Sequence, residues 1–65
     1  MTLAEWRAQQ GLTLAQCAQR FGAAQAKTVQ RWEKGEQIPR RRFMRRIAEA
    51  TDGRVGPADF YQAAS

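Results

Sequence analysis

The sequence predicts an all-α fold of four to five short helices around a small, compact core. Three observations predict it. Apolar residues recur at helical spacing in successive segments, as in Leu14, Cys17, Ala18 and Phe21. Gly11, Gly22, Gly35 and Gly53 each follow such a segment, where a left-handed residue commonly ends a helix. No alternating β-branched run exists, and the only valines are Val29 and Val55.

The elements follow in order. A first helix is expected over about Leu3–Gln10, opened by a Thr2/Glu5 capping box, with Leu3 and Trp6 on one face. A second is expected over about Leu14–Phe21, opened by the same device at Thr13/Gln16. A third should span about Gln25–Lys34 with Val29 and Trp32 inward; no Ser, Thr, Asp or Asn marks its start. Ile38-Pro39 reads as an extended turn, because the residue before proline avoids the α region. A fourth helix is expected over about Arg41–Thr51, burying Phe43, Ile47 and either Ala48 or Ala50. Pro57, a good first-turn residue, should begin a short last helix carrying Phe60 and Tyr61.

At 65 residues the chain is expected to form one domain, 1–65. A single Cys offers no disulfide framework. The N-terminus reaches Glu5 without a basic leader, and the uncharged stretch Ala8–Gln19 holds four Gln. The reading is a soluble, cytoplasmic protein without membrane contact. The net charge of +5 is uneven: residues 1–26 carry +1, residues 27–46 carry +6 and residues 47–65 carry −2. Such a localised basic stretch is the electrostatic footprint of a polyanion binder, although charge alone fits a solvated face equally well.

A helix, a few residues around Gly22, and a second helix form the arrangement in which the second helix enters a DNA major groove. Close crossing of the two requires a small residue four before the turn glycine, which is Ala18, and a turn residue free to take positive φ. The stretch Leu12–Gly22, the run Val29-x-Arg31-Trp32-Glu33-x-Gly35 and Ile38-Pro39 resemble the phage repressor and Cro-type, lambda-repressor-like helix-turn-helix family. Ile47–Thr51 resembles its fourth helix. The resemblance covers about residues 3–53 and implies a five-helix domain that binds operator DNA, usually as a symmetric dimer, to regulate transcription. It also implies an ion pair between Glu33 and the basic residue matched on helix 1, Arg7. Three positions depart from the pattern: Leu14 stands where a polar residue is frequent, Cys17 replaces a leucine, and the segment from Gly22 to Val29 is a residue longer. The extra residue either lengthens the turn or starts the third helix earlier.

Base readout is expected from the outward face of the third helix, through Gln25, Lys27, Gln30 and Arg31. Arg suits the paired acceptors of guanine, and Gln the edge of adenine. Phosphate contacts are expected from Thr13, Thr28, Lys34, Gln37, Arg40, Arg41 and Arg42. Five arginines between Arg40 and Arg46 repel one another and oppose the helix dipole, which makes sense if phosphates neutralise them. Arg45 and Arg46 are expected to point elsewhere, since one helix face cannot hold all five.

Trp6 and Trp32 read as core anchors, and Cys17 as a small buried hydrophobe. No His accompanies Cys17, so no catalytic pair, metal site or cofactor is expected. The expected partner is double-stranded DNA, through paired operator-like half-sites, with a monomer or weak homodimer in solution and no small-molecule ligand. The competing reading is a protein-interaction module, such as an antitoxin-like partner using the same fold.

Overall fold

In the computed structural model, which describes residues 1–64, five helices follow one another: α1 (Leu3–Gln10), α2 (Leu14–Phe21), α3 (Ala26–Lys34), α4 (Arg41–Ala50) and α5 (Pro57–Ala64). No strand occurs among the described residues.

Local chemistry sets the first two starts. The Thr2 hydroxyl accepts from the Glu5 N–H at 3.2 Å, and the Glu5 carboxylate accepts from the Thr2 N–H at 3.3 Å. Thr13 and Gln16 repeat the exchange at 3.1 and 2.8 Å. Each box satisfies backbone donors that a helix start otherwise leaves open. Between α2 and α3, Gly22 lies at φ 76°. Its N–H reaches Gln19 O at 3.4 Å, while the Ala23 N–H reaches Ala18 O at 2.8 Å. This 6→1 and 5→2 pair reverses the chain within one residue of left-handed backbone, which glycine adopts without a Cβ clash.

The core takes Leu3 and Trp6 from α1; Cys17, Ala18 and Phe21 from α2; and Val29 and Trp32 from α3. Ile47 of α4, Val55 of the following loop and Phe60 of α5 complete it. Trp6 packs on Phe21 with ring centroids 6.0 Å apart, and Trp32 on Phe43 at 5.3 Å. Burying a side chain such as Ile47 contributes about 1.5–3 kcal/mol. The Trp32 Nε1 donor is buried without a partner among the described residues, a cost set against the large area its ring removes from water. Burial pushes the Cys17 thiol pKa up, which keeps it protonated and inert.

Three expectations change and one open alternative is settled. Gln25 does not begin α3: it is the residue before it, in extended backbone at φ −138° and ψ 147°. The additional residue after Gly22 therefore lengthens the turn. Thr51 follows α4 instead of ending it, and is itself buried. Its hydroxyl donates to Ile47 O at 2.8 Å and accepts from the Val55 N–H at 3.2 Å, so it stitches the end of α4 to the next loop. Phe43 is only half-buried, because it sits at the flank of α4 against Trp32. Ala50 is exposed while Ala48 is half-buried, which settles that pair.

Candidate nucleic-acid interface

α3 is held from behind. Val29 and Trp32 face the core, and α2 packs on α3 more extensively than any other helix pair does. Ala18, nearly fully buried, supplies the small surface such an approach needs. A second tie comes from Glu33. Arg7 Nε donates to Glu33 Oε2 at 2.7 Å and Nη2 donates to Oε1 at 3.1 Å. Arg7 Nη1 also donates to Leu12 O at 3.2 Å. The fork thus joins α1, the α1–α2 turn and α3, and the bond to Glu33 raises the Arg7 pKa. The Glu33 side chain is 10% exposed and that of Arg7 28%, so water weakens the pair only in part. The expected Arg7–Glu33 pair is therefore present.

With the inward face occupied, Lys27, Gln30, Arg31 and Lys34 remain exposed. Their spacing of three, four and seven places them along one outward stripe. No carboxylate belongs to it, because Glu33 is turned to Arg7. Lys34, a candidate phosphate contact, lies on the same face as the candidate base-reading residues, an i, i+7 relation to Lys27 that the helical period already held. Thr28 lies on the flank, half-buried, its N–H donating to Gln25 O at 3.2 Å. Gln25 is exposed and forms no side-chain cap.

The other candidates lie on neighbouring elements. Thr13 is exposed at the start of α2; its oxygen accepts from Gln16 N–H, and its hydroxyl donates to none of the described residues. After Gly35 the chain turns through Glu36 and exposed Gln37, whose N–H groups both reach Arg31 O, at 3.0 and 3.4 Å. Half-buried Ile38 and buried Pro39 pin this turn to the core. Arg40 then precedes α4 without a side-chain cap.

The arginine cluster divides. Arg42 lies over the Phe43 ring, 4.8 Å from its centroid, beside the Trp32–Phe43 contact with α3. Arg46 donates through Nη1 to Phe21 O at 3.4 Å and lies over Gly22, so it anchors the α2–α3 turn. Its charge sits at the negative end of α2, a favourable place for a cation. Arg41 and Arg45 flank Met44 and Ala48 on another side of α4. The anchoring role of Arg46 depends on a residue 25 positions away, a relation no local pattern carries.

Two helices joined by a short glycine turn, the second presenting a basic face, define a helix-turn-helix unit of the DNA-binding kind. The family described as "Helix-turn-helix domain" matches residues 1–56, and the chain belongs to it. No curated protein and no solved structure matches the chain. No group of metal-ligating side chains exists among the described residues, and none of their helices is long and apolar enough to cross a membrane.

Proposed function

We propose that this protein is a sequence-specific transcriptional regulator of the repressor or Cro type, which inserts α3 into the major groove of duplex DNA. The single observation that carries this reading is the exposed stripe of Lys27, Gln30, Arg31 and Lys34, free of carboxylate and backed by the packing of α3 on α2. Lys27, Gln30 and Arg31 read bases, with Gln25 at the edge of the groove. Thr13, Thr28, Lys34, Gln37, Arg40 and Arg42 hold phosphates on either side, whereas Arg41, expected to do the same, lines a groove with Arg45. Uncapped N–H groups at the start of α4 suit a phosphate as well.

Paired half-sites lie about 34 Å apart, one turn of the double helix. The longest dimension of the fold is 26 Å. Two copies centred on such half-sites would leave a gap between their backbones that only long side chains can bridge, which favours weak pairing that forms on DNA.

The test is selection of sites from a randomised duplex library, with affinity followed against salt. A recovered paired motif is expected. Arg31→Ala should relax one base position at a cost of about 1–3 kcal/mol. Lys34→Ala should weaken all sites alike and lower the salt slope by about 0.9. Sequence-blind binding unaffected by Arg31→Ala would overturn the reading, as would a nanomolar dimer without DNA for the pairing.

A further inference from the structure

A second surface lies on the α4–α5 side of the molecule. An open groove of about 530 Å³ is lined by Met44 and Ala48 of α4, and by Pro57 and Tyr61 of α5. Pro39, Arg41 and Arg45 complete its lining, with no carboxylate among these residues. Arg41 and Arg45 are four apart and share a flank of α4, whereas Arg42 is engaged with Phe43 and Arg46 with Phe21. α5 presents its two aromatics oppositely: Phe60 is 3% exposed in the core, while Tyr61 is 61% exposed beside the groove.

Three occupants can be compared by chemistry. A DNA backbone would satisfy the two guanidinium groups but leave Met44, Ala48 and Tyr61 without an apolar partner. A second copy related by a two-fold axis would set the groove against itself and bring the Arg41 and Arg45 pairs of both copies together with no carboxylate between them. An amphipathic protein segment with apolar side chains and flanking carboxylates matches both features at once. We propose that this groove docks such an acidic, apolar-anchored segment of a partner protein. The contact uses none of the residues of the outward α3 stripe and so does not depend on DNA binding, although its Arg41 end adjoins Arg40 and Arg42, which are proposed to hold phosphates.

The probe is a short synthetic amphipathic peptide with leucines on one face and glutamates beside them, titrated into the full chain and followed by NMR. Signals of Met44, Ala48 and Tyr61 should move, while those of Lys27 and Gln30 stay. Arg45→Glu should weaken binding about five- to tenfold, as expected for reversing one charge at an interface. Tyr61→Ala should weaken it independently; both positions are exposed, so the fold is retained. The proposal is overturned if a leucine peptide carrying lysine for glutamate binds equally. Equal binding by a glutamate peptide carrying serine for leucine overturns it too, by reducing the groove to a charged patch. Groove signals that move with protein concentration alone would assign the surface to a second copy. Signals of Ala48 and Tyr61, remote in sequence from the proposed phosphate contacts at Arg40 and Arg42, would assign the groove to nucleic acid if they moved with duplex DNA.

Discussion

α1 and α2 begin on threonines whose side chains cap them, whereas α3 and α4 begin on Gln25 and Arg40, which form no side-chain cap. The first turn of α1 contains Glu5, the charge a helix start favours, whereas α4 opens on Arg40, Arg41 and Arg42, the charge it disfavours. The two pairs also differ in purpose. α1 and α2 brace the fold from behind, with only Thr13 at the start of α2 proposed to touch a phosphate, and α3 and α4 carry the rest of the surface proposed to meet phosphates. The contrast teaches that local stability is optimised where the helix is scaffold and forgone on the surface proposed to meet a polyanion, whose phosphates would supply the missing counter-charge.

The largest way to break this contrast is to remove the brace. Arg7→Ala leaves the Glu33 carboxylate, only 10% exposed, without its partner. A loss of about 2–3 kcal/mol is expected, below the cost of a fully buried pair because Arg7 is partly in water. Thermal unfolding should show a fall in Tm of about 10 °C or more; an unchanged Tm would mean that the fork does not hold α3.

A sharper comparison exchanges the caps. Thr2→Ala should destabilise by about 1 kcal/mol. Arg40→Asp should do the opposite, stabilising α4 by about 1 kcal/mol through a new cap and a favourable dipole contact, while weakening DNA binding. Denaturant unfolding and DNA titration of the same two proteins read both effects. If Arg40→Asp lowers stability, the N-terminus of α4 is not a site of forgone capping.

The far end of α4 offers a smaller change. Asp52 sits at φ 55°, left-handed backbone that costs a side chain about 1 kcal/mol or more. Asp52→Gly should raise stability by about 0.5–1 kcal/mol, the wider freedom of unfolded glycine offsetting part of the relief. A decrease would show that the carboxylate contributes more than the backbone strain removes.

The smallest effect concerns acid. Asp59 accepts from the Gly56 N–H at 2.9 Å, and this bond, helped by the nearby Met1 ammonium, holds its pKa below the usual carboxylate value. A depressed folded-state pKa contributes stability above the unfolded value of about 3.9 and loses it as pH falls toward the folded one. Between pH 5 and lower values, Asp59→Asn should therefore show a shallower loss of stability than the parent chain, and identical acid limbs would refute the assignment.

Much of this was legible because it is local. Thr-x-x-Glu and Thr-x-x-Gln mark the starts of α1 and α2, and Gly11, Gly22 and Gly35 mark three ends, since caps and left-handed residues act within one turn. The inward Val29 and Trp32 follow from the helical period. The start of α3 was not legible, because Gln25 caps nothing and only the longer turn displaces it. Phe43 and Ala50 show the limit of periodicity: it says which residues share a face, not how far a neighbour covers that face. Val55 lies alone between Arg54 and Gly56, so nothing local announces its burial. The pair of Arg7 with Glu33 came from family resemblance, since 26 residues separate them.

Arg46 and Gly22 have a consequence for how such a chain diverges. The guanidinium occupies the space where a Cβ at position 22 would project, and it bonds the carbonyl of Phe21. A side chain at position 22 would thus meet two obstacles, the positive φ and the guanidinium, and only the second can swing aside. Once it swings aside its bond is lost, so a later change at position 46 removes nothing more. The two positions are therefore energetically coupled: the cost of altering the turn depends on what α4 already carries, and the effects of changing both should not add.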